Sequence, residues 1–400
     1  MLVFVLNAGS SSVKYQLMNP VIKKVFASGI CERIGIDGVL KHEYGDGKKL
    51  VMNIAMPTHT EAIEAVLTTL TSGEGKVIDS INDIEAIGHR TVHGGEEFAS
   101  SVMVTDKVIA KMKELIPLAP LHNPANIMGM EICQQLMPGK PNVAVFDTAF
   151  HQTMPDYAYM YALPKDMYTK HGIRKYGFHG TSHYFVSNEA KGMLDKKHNT
   201  RVIVCHLGNG SSVSAVLNGK CIDTSMGLTP VQGLMMGTRA GDVGAGAISY
   251  MMSKENLTID QALDVMNKKS GILGISGKSS DLREVLQGMQ DGDDSCRLAV
   301  DMVAYNIKKY VGAYVAALDG VDALCFTGGI GENAALIREK VCAGLDSMGL
   351  VIDPVKNNKR SSKARDIATN ASASRIFVIP TNEEYVIAND TYKIVSELNK

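Results

Sequence analysis

The sequence repeats one short phrase two hundred residues apart, and this repeat constrains the fold more than any other feature. The first copy is VFVLNAGSSSVKYQL at 3–17, and the second is VIVCHLGNGSSVSAVL at 202–217. Each consists of an apolar run, a turn rich in Gly and Ser, and a second apolar run, a pattern typical of a β-hairpin. A gapless overlay places Ser11, Ser12 and Val13 on 211–213. The repeat predicts two similar domains related by duplication.

The length of the chain also favours two domains. At 400 residues it is long for one hydrophobic core, and its 45% hydrophobic and 21% charged residues are ordinary for a globular protein. We place the boundary near residue 150, after the run VAVFDTAFH. The predicted domains cover 1–149 and 150–384, and a last helix at 385–400 is predicted to pack on the first domain.

Charge and hydropathy argue against two classes of partner. The formal charge is −1, and the one basic run, KNNKRSSKAR at 356–365, is predicted to be a solvated loop, so nucleic acid is not expected as the main partner. No apolar run approaches the roughly 18 residues of a membrane span, and the run at 1–6 is too short for a signal peptide. We therefore expect no membrane partner and a cytoplasmic location.

The seven cysteines support the same compartment. They are odd in number, contain no CxxC pair and fall mostly inside apolar runs. Buried, reduced thiols in a cytosolic protein fit this pattern best. A catalytic cysteine has no local support.

Alternating strand and helix patterns predict an α/β fold. Runs rich in Val and Ile predict strands at 2–6, 84–88, 143–146, 202–205, 213–217, 323–326 and 376–379. Amphipathic patterns predict helices at 58–71, 106–116, 124–136, 259–268, 295–318 and 384–398. In the segment HNPAN, Asn123 is predicted to cap a helix that begins with Pro124.

Four glycine-rich loops point to a phosphate ligand. They are the two hairpin turns, MMGTRAGDVGAG at 235–246 and TGGIGEN at 327–333. Glycine lets successive backbone N–H groups converge on an anion, although a tight hairpin also requires it, so a lone loop would favour a purely structural role. Four loops together favour phosphate. The GGIGENA run also matches a dinucleotide pattern, and it indicates a nucleotide without saying which.

Polar residues follow several predicted strands, where ligands bind in α/β sheets. They are Asn7, His89, Arg90, Asp147, His206 and Glu383. Caps and turns favour the same residue types, so any one of them has a structural alternative. Arg90 and Arg239 differ, because their neighbours in sequence are small and uncharged, which favours binding of carboxylate or phosphate. His179 and His183 lack an intervening Glu, so zinc is not expected.

Eight motifs, in order and over nearly the whole chain, resemble the acetate kinase family. They are NAGSSSVKYQL (7–17), GHRTVHGG (88–95), FDTAFH (146–151), YGFHGTSH (176–183), HLGNGSS (206–212), MGTRAGD (236–242), FTGGIGEN (326–333) and IPTNEE (379–384). The resemblance implies two duplicated actin-like ATPase domains with a nucleotide cleft between them, the C-terminal domain binding the nucleotide. It also implies a homodimer.

The resemblance further implies the reaction and its site. ATP and acetate would give ADP and acetyl phosphate, with Mg²⁺ as cofactor, replaceable by Mn²⁺. Asn7 and Glu383 would hold the metal, and Asp147, His179, Arg239 and Arg90 would be catalytic. The acetate would contact Arg90, Val92, Leu121, His122, Phe178 and Pro230. The nucleotide would contact Lys14, His206, Leu207, Gly208, Asn209, Gly210, Asp281, Leu282, Arg283, Gly329, Ile330, Gly331, Glu332 and Asn333.

Acetate is already ionised at neutral pH, so the reaction needs no general base. The resemblance labels Asp147 a proton acceptor, whereas the chemistry favours a role in orienting Mg²⁺ through its water shell. The alternatives are a propionate or butyrate kinase of the same family, a pyrophosphate-dependent enzyme, an actin-like ATP-binding module without an acid substrate, and an NAD-dependent dehydrogenase. An actin-like module would have no use for Arg90 or for the small apolar lining, and absence of nicotinamide binding would exclude the dehydrogenase.

Overall fold

The computed structural model describes residues 1–194, 196 and 198–398, and the chain divides into two compact units. Unit 1 comprises Met1–Ala149 and Asn382–Lys400, and unit 2 comprises Phe150–Thr381. The predicted last helix is observed through Leu398, and its final two positions, 399 and 400, lie outside the described residues.

The described residues form two sheets. The strands are β1 (Val3–Ala8), β2 (Ser12–Asn19), β3 (Lys24–Glu32), β4 (Val39–Tyr44), β5 (Lys48–Asn53), β6 (Ala86–Thr91), β7 (Val102–Met103), β8 (Asn142–Phe146), β9 (Arg201–Leu207), β10 (Ser211–Leu217), β11 (Lys220–Thr224), β12 (Ala323–Thr327), β13 (Arg365–Asp366) and β14 (Arg375–Val378).

Helices connect and cover these strands. They are α1 (His59–Thr71), α2 (Asp106–Glu114), α3 (Asn123–Leu136), α4 (Asp156–Tyr159), α5 (Lys165–His171), α6 (Gly180–Met193), α7 (Ala245–Glu255), α8 (Ile259–Lys268), α9 (Gly271–Ser276), α10 (Leu282–Gln290), α11 (Asp294–Ala317), α12 (Gly328–Asn333), α13 (Ala335–Cys342), α14 (Pro354–Asn358) and α15 (Glu383–Leu398). Short 3-10 segments lie at Ile81–Asp83, Ile116–Leu118, Ala149–Thr153 and Asp346–Met348.

The sheet of unit 1 has the strand order β5-β4-β3-β2-β1-β6-β8-β7. Strand β1 pairs antiparallel with β2 and parallel with β6, which is parallel to β8. Successive side chains of a strand point to opposite faces. Accordingly, Phe4 and Leu6 pack with α1 and α3, whereas Val3 and Val5 pack with α15. Two apolar cores therefore hold β1 in the middle of the sheet.

The sheet of unit 2 repeats this arrangement with the order β11-β10-β9-β12-β14-β13. Strand β9 pairs antiparallel with β10 and parallel with β12, which is parallel to β14. Cys205 and Leu207 face the core that contains α11, and Val202 and Val204 face the core that contains α6. The shared order of five strands, three antiparallel and two parallel, confirms the predicted α/β duplication.

The gapless overlay of the two hairpins is nevertheless out of register. Asn7 and His206 are each the last but one residue of their strands, and their cross-strand partners are Lys14 and Ser212. Lys14 therefore corresponds to Ser212 and not to residue 214. Five residues separate His206 from its partner Ser212, whereas six separate Asn7 from its partner Lys14. The gapless overlay found the repeat correctly, but it paired the wrong residues of the two hairpins.

Two further predictions concern local structure. The prediction that Asn123 caps the helix is wrong, because α3 begins at Asn123 itself. The Asn123 side-chain amide instead binds the backbone of His93: it accepts from His93 N at 3.2 Å and donates to His93 O at 3.1 Å. All seven cysteines are buried free thiols, as predicted. No helix in the described part of the chain combines the length and the apolar character needed to cross a bilayer.

Candidate active site

A small pocket in unit 1 brings together polar residues from four separate segments. Asn7 near the end of β1 lies opposite Lys14 on β2, Arg90 lies near the end of the adjacent β6, and Glu383 and Glu384 begin α15. The remaining lining is Val5, Tyr15 and Ile387. The predicted metal residues, the predicted phosphate-contacting lysine and the predicted acetate-binding arginine thus share one pocket. Glu384 is an addition that sequence reasoning did not include.

Arg90 forms a two-point ion pair with Asp147, which follows β8. Arg90 Nε donates to Asp147 Oδ1 at 3.1 Å, and a terminal guanidinium nitrogen donates to Oδ2 at 2.7 Å. The Asp147 side chain is 1% exposed and that of Arg90 is 24% exposed. The negative charge of Asp147 is the main cause of the raised pKa of Arg90, and Glu383 and Glu384 add to it. The neighbours of Arg90 in sequence are uncharged, but its neighbours in the folded chain are carboxylates. The prediction of uncharged surroundings is therefore wrong.

The predicted acetate-lining residues of unit 1 differ in accessibility. Val92 is buried, and its backbone N–H donates to Asn126 Oδ1 at 3.0 Å. Leu121 is 66% exposed, and His122 is the half-buried N-cap residue of α3. Asn126 also donates to Ala8 O at 2.9 Å, which ties the segment of Val92 to the end of β1.

In unit 2, the predicted acetate-lining residues lie close to the predicted catalytic ones. Phe178 is buried, directly precedes His179, and accepts at its carbonyl oxygen a hydrogen bond from His151, with His151 Nε2 at 2.9 Å. Pro230 is half-buried, and its carbonyl oxygen accepts from Arg239 at 3.4 Å.

The turn between β9 and β10 is a tight loop of Gly208, Asn209 and Gly210. Gly208 N donates to Gly210 O at 3.0 Å, and Gly237 N donates to Asn209 O at 3.1 Å. A Cβ at Gly237 would lie 1.8 Å from Asn209 Oδ1 and 3.2 Å from Ser280 O. The motif MGTRAGD therefore lies against the hairpin turn, and glycine permits this close approach. The predicted nucleotide segment 206–210 therefore lies beside the glycine-rich motif at 236–242 and beside Ser280, which directly precedes the predicted Asp281.

His179 and Arg239 flank the same turn. A Cβ built on Gly210 would be 3.4 Å from His179 Nε2 and 3.5 Å from an Arg239 terminal nitrogen. No carboxylate in the described part of the chain pairs with Arg239, whose partners are Pro230 O and, at 3.8 Å, Met236 Sδ. Burial lowers the pKa of Arg239. A partly buried guanidinium without an anionic partner, next to a glycine turn, is suited to a phosphate group.

A chain of hydrogen bonds holds His179 in place. Ser212 Oγ lies 2.9 Å from His179 Nδ1 and 2.7 Å from His183 Nε2. The other ring nitrogen of His183 lies 2.7 Å from Ser214 Oγ. Burial is the main cause of the strongly lowered pKa of His183, followed by electrostatic interaction with His151 and His206, so His183 is neutral near pH 7. Ser212 and Ser214 lie on the same face of β10. The sequence predicted a hairpin turn here but did not predict that these serines hold the two histidines.

His206 is positioned by a second set of contacts. Its ring stacks on that of His179 at a centroid distance of 4.3 Å, and its Nδ1 lies 2.7 Å from Ser182 Oγ. Ser182 in turn contacts Thr381 Oγ1 at 2.8 Å. The predicted residues His179 and His206 are thus neighbours at the end of β9.

The predicted nucleoside segment, 329–333, forms α12 directly after β12. Gly328 has φ of +75°, and a Cβ there would lie 2.6 Å from Leu207 O, which accounts for glycine at that position. Glu332 folds back, so that its Oε1 accepts from Gly328 N at 3.0 Å. Gly329 and Asn333 are exposed, with open space around Gly329. The exposed edge of α12 could therefore contact a ligand.

Asp281 has a structural role at the start of α10. It caps α10 by accepting from Arg283 N at 2.9 Å, and it pairs with the exposed Arg283 guanidinium. Leu282 is buried. Any nucleoside contact by this segment would use the exposed face of Arg283.

Comparison with known proteins agrees with this geometry. The profile of the Acetokinase family matches residues 2–389. An acetate kinase of Helicobacter hepaticus is 53% identical over 398 residues, which cover 99% of each chain. The crystal structure of Porphyromonas gingivalis acetate kinase superposes with a TM-score of 0.94 at 50% identity, covering 98% of this chain and 99% of that one.

A propionate kinase from Francisella tularensis superposes nearly as well, with a TM-score of 0.92 at 42% identity and coverage of 98% and 99%. The duplicated actin-like ATPase fold expected from the resemblance is confirmed by the acetate kinase structures. These matches extend over almost the whole chain, as the eight motifs do. The chain belongs to the acetokinase family.

Proposed function

We propose that this chain transfers the terminal phosphoryl group of ATP to acetate, reversibly, giving acetyl phosphate and ADP. Family membership makes it a kinase. The observation that carries the proposal is Arg239, a partly buried guanidinium that has no carboxylate partner among the described residues and lies with His179 beside the Gly210 turn. Such an arrangement suits the charge that develops on a phosphoryl group during transfer.

We assign the nucleotide to unit 2. The backbone of 206–210 would hold the phosphates. Gly208 N already donates to Gly210 O, so the N–H groups of Asn209 and Gly210 are assigned to the phosphates. The exposed edge of α12 and the segment 281–283 would contact the nucleoside. Lys14 of unit 1 is assigned to the phosphates as well, since it carries an ammonium group in the pocket with Asn7.

The donors in the unit 1 pocket fit a magnesium ion. Asn7 supplies an amide oxygen, and Glu383 and Glu384 supply carboxylates, which are the ligand types that Mg²⁺ prefers. When bound, the ion would neutralise phosphate charge, and Mn²⁺ is expected to substitute for it. Without a cation, the three negative charges of Asp147, Glu383 and Glu384 outnumber the two positive charges of Lys14 and Arg90.

Arg90 is assigned to the acetate carboxylate. The ion pair with Asp147 occupies its Nε and one terminal nitrogen, so the other terminal nitrogen is left for the substrate. Acetate is ionised at neutral pH and requires no proton acceptor. We therefore assign Asp147 to orienting Arg90. Its role toward magnesium-bound water stays a prediction.

His179 and Arg239 are assigned to the transferring group. Ser212 fixes the orientation of the His179 ring through Nδ1, and Nε2 of the same ring lies beside the Gly210 turn. Arg239 would meet the equatorial oxygens, a contribution that is worth roughly 10³ to 10⁵ in rate in other phosphoryl transfer enzymes.

The acceptor acid could also be propionate or butyrate, and the match to a propionate kinase keeps that alternative open. One methylene in an apolar pocket is worth only about 1–3 kcal/mol. Family membership argues against an actin-like binding module and against a dehydrogenase. Hydroxamate detection of acyl phosphate from ATP with acetate, propionate and butyrate tests the proposal. The highest kcat/KM is expected for acetate, and no acyl phosphate from any of the three would contradict it.

We also propose a cytoplasmic homodimer. Helix α7 has no buried residue, and Leu298, Met302 and Tyr305 form an exposed apolar stripe on α11. Apolar stripes of this kind favour a protein partner. Light scattering of the purified protein should give twice the chain mass, and Leu298→Asp should give monomers. The matched control is Val355→Asp, at an exposed apolar residue elsewhere; monomeric wild-type protein would contradict the proposal.

A further inference from the structure

A second pocket in unit 2 is lined by basic side chains that the proposed reaction does not use. Arg338, Lys359, Arg360 and Arg365 line it, and Glu332 is its only carboxylate among the described residues. The pocket is open to solvent, with a volume of about 230 Å³. Three of these side chains belong to the basic run that was predicted to be a solvated loop. Lys359 and Arg360 are exposed, but the run shapes a concave surface.

Arg338 forms a fixed positive floor. It is 1% exposed, and its guanidinium donates to Asn357 Oδ1 at 2.7 Å, to Asn357 O at 2.8 Å and to Gly331 O at 2.8 Å. Burial, followed by the positive charge of Arg365, lowers the pKa of Arg338 to about 10, so it remains charged at neutral pH. Because its donors are engaged internally, Arg338 contributes charge to the pocket while holding Asn357 and α12 together.

Arg365 and Arg360 are the groups that can bind directly. One terminal nitrogen of Arg365 donates to Ser361 O at 3.1 Å, whereas its buried Nε has no hydrogen-bond partner in the described part of the chain. Neither Lys359 nor Arg360 forms an ion pair with a described residue. A buried N–H without an acceptor is costly, which indicates that a ligand or water supplies the acceptor. The pocket has excess positive charge in a chain whose formal charge is −1.

We propose that this pocket binds the phosphate group of a phosphorylated small molecule. Guanidinium groups match phosphate oxygens with two parallel hydrogen bonds, so Arg360 and Arg365 would hold the dianion over the positive floor. The pocket is larger than one phosphate, which favours a phosphomonoester over the free ion. The pocket shares Glu332 and Asn333 with the segment that is assigned to the nucleoside, whereas Lys359, Arg360 and Arg365 belong to no predicted nucleotide contact. The proposal rests on no assumption about the acceptor acid.

Calorimetry of the full chain tests this site. MgADP is titrated first, which examines the nucleotide part of the proposed function separately, and the saturated protein then receives glycerol 3-phosphate or inorganic phosphate. One site per chain is expected, with tighter binding of the phosphomonoester. Affinity should fall at least tenfold in Arg360→Gln/Arg365→Gln and should be unchanged in Arg297→Gln, at an exposed arginine paired with Asp294.

Lys359→Gln, at an exposed position, provides a second variant that preserves the fold, and at least a threefold loss of affinity is expected. MgADP binding and the unfolding midpoint, unchanged in each variant, show that the protein is folded. Tight binding of inorganic phosphate alone, lost in the double variant, supports the phosphate site and identifies the free ion as its ligand. Absence of binding for both titrants, or equal affinity in the double variant, overturns the proposal.

Discussion

Arg90 and Asp147 are joined by two hydrogen bonds, of 3.1 and 2.7 Å, at the ends of neighbouring parallel strands. The pair gives Asp147 a defined role: it fixes the plane of the guanidinium so that one terminal nitrogen is directed elsewhere. Glu383 and Glu384 act on the same arginine. Because acetate is ionised at neutral pH, the proposed reaction needs no proton acceptor at this position.

Replacing Asp147 by Asn should therefore weaken acetate binding. The amide cannot accept both hydrogen bonds from Arg90, so the KM for acetate should rise at least tenfold, or about 1.4 kcal/mol. The dependence of kcat on pH should keep its shape, because no proton acceptor is lost. Steady-state kinetics over a pH series measure both quantities. A kcat that becomes strictly dependent on added base, with an unchanged KM, would assign Asp147 to proton transfer.

Replacing Arg239 by Ala should lower kcat by roughly 10³ to 10⁵, because the charge on the transferring group is no longer balanced. The KM for acetate should change far less. Arg297→Ala is the matched control, since that arginine is exposed and pairs with Asp294. Initial-rate kinetics with saturating ATP provide the measurement, and a fall in kcat below tenfold would remove Arg239 from the chemistry.

Folding stability should fall between pH 6.5 and about 4 because of buried histidines. Burial lowers the pKa of His89 and of His151 to about 4, and it lowers the pKa of His183 well below its ordinary value. In this window the unfolded chain binds protons that the folded chain does not, so the free energy of unfolding decreases as pH falls.

Urea titrations at pH 7 and 5 should show this decrease, and His151→Gln should reduce it, corrected for the loss of stability at pH 7. His171→Gln, at an exposed residue, should leave the pH dependence unaltered. A stability that is independent of pH across this range would be inconsistent with neutral buried histidines.

Gly328→Ala should destabilise unit 2 by about 1–3 kcal/mol, because its φ of +75° is unfavourable for alanine. The added Cβ would also meet the carbonyl of Leu207 at 2.6 Å. Gly329→Ala is the neighbouring control, since nothing lies within 4 Å of a Cβ there. The unfolding midpoints of the two variants should differ, and equal midpoints would mean that the β12 and α12 junction tolerates a side chain.

The sequence predicted the centre of each sheet better than its edges. The central strands β1, β8, β9, β12 and β14 are nearly continuous apolar runs because both of their faces are buried. The edge strand β5 exposes most of its residues and begins with two lysines, and β11 begins with an exposed lysine and contains an aspartate. An apolar-run criterion therefore does not detect these strands. Helix α7 was missed because it has no buried face to produce a periodic pattern.

The sequence predicted which residue types lie near the ends of the strands. It did not predict the contacts between side chains that are far apart in the chain. Asn7, Arg90 and His206 were predicted to follow their strands, and each is the last but one residue of its strand. Local composition could not show that Arg90 meets Asp147, 57 positions away, or that Ser212 joins His179 to His183. The catalytic roles of these residues stay predictions until the variants are measured.

The proposed reaction transfers a phosphoryl group from ATP to a carboxylate. The most direct test incubates the purified chain with ATP labelled at the terminal phosphate, Mg²⁺ and acetate, and follows the label by separation of acetyl phosphate from inorganic phosphate. The label should appear in acetyl phosphate, and the reverse reaction should return it to ADP. Label that enters inorganic phosphate alone, at the same rate with and without acetate, would contradict the account.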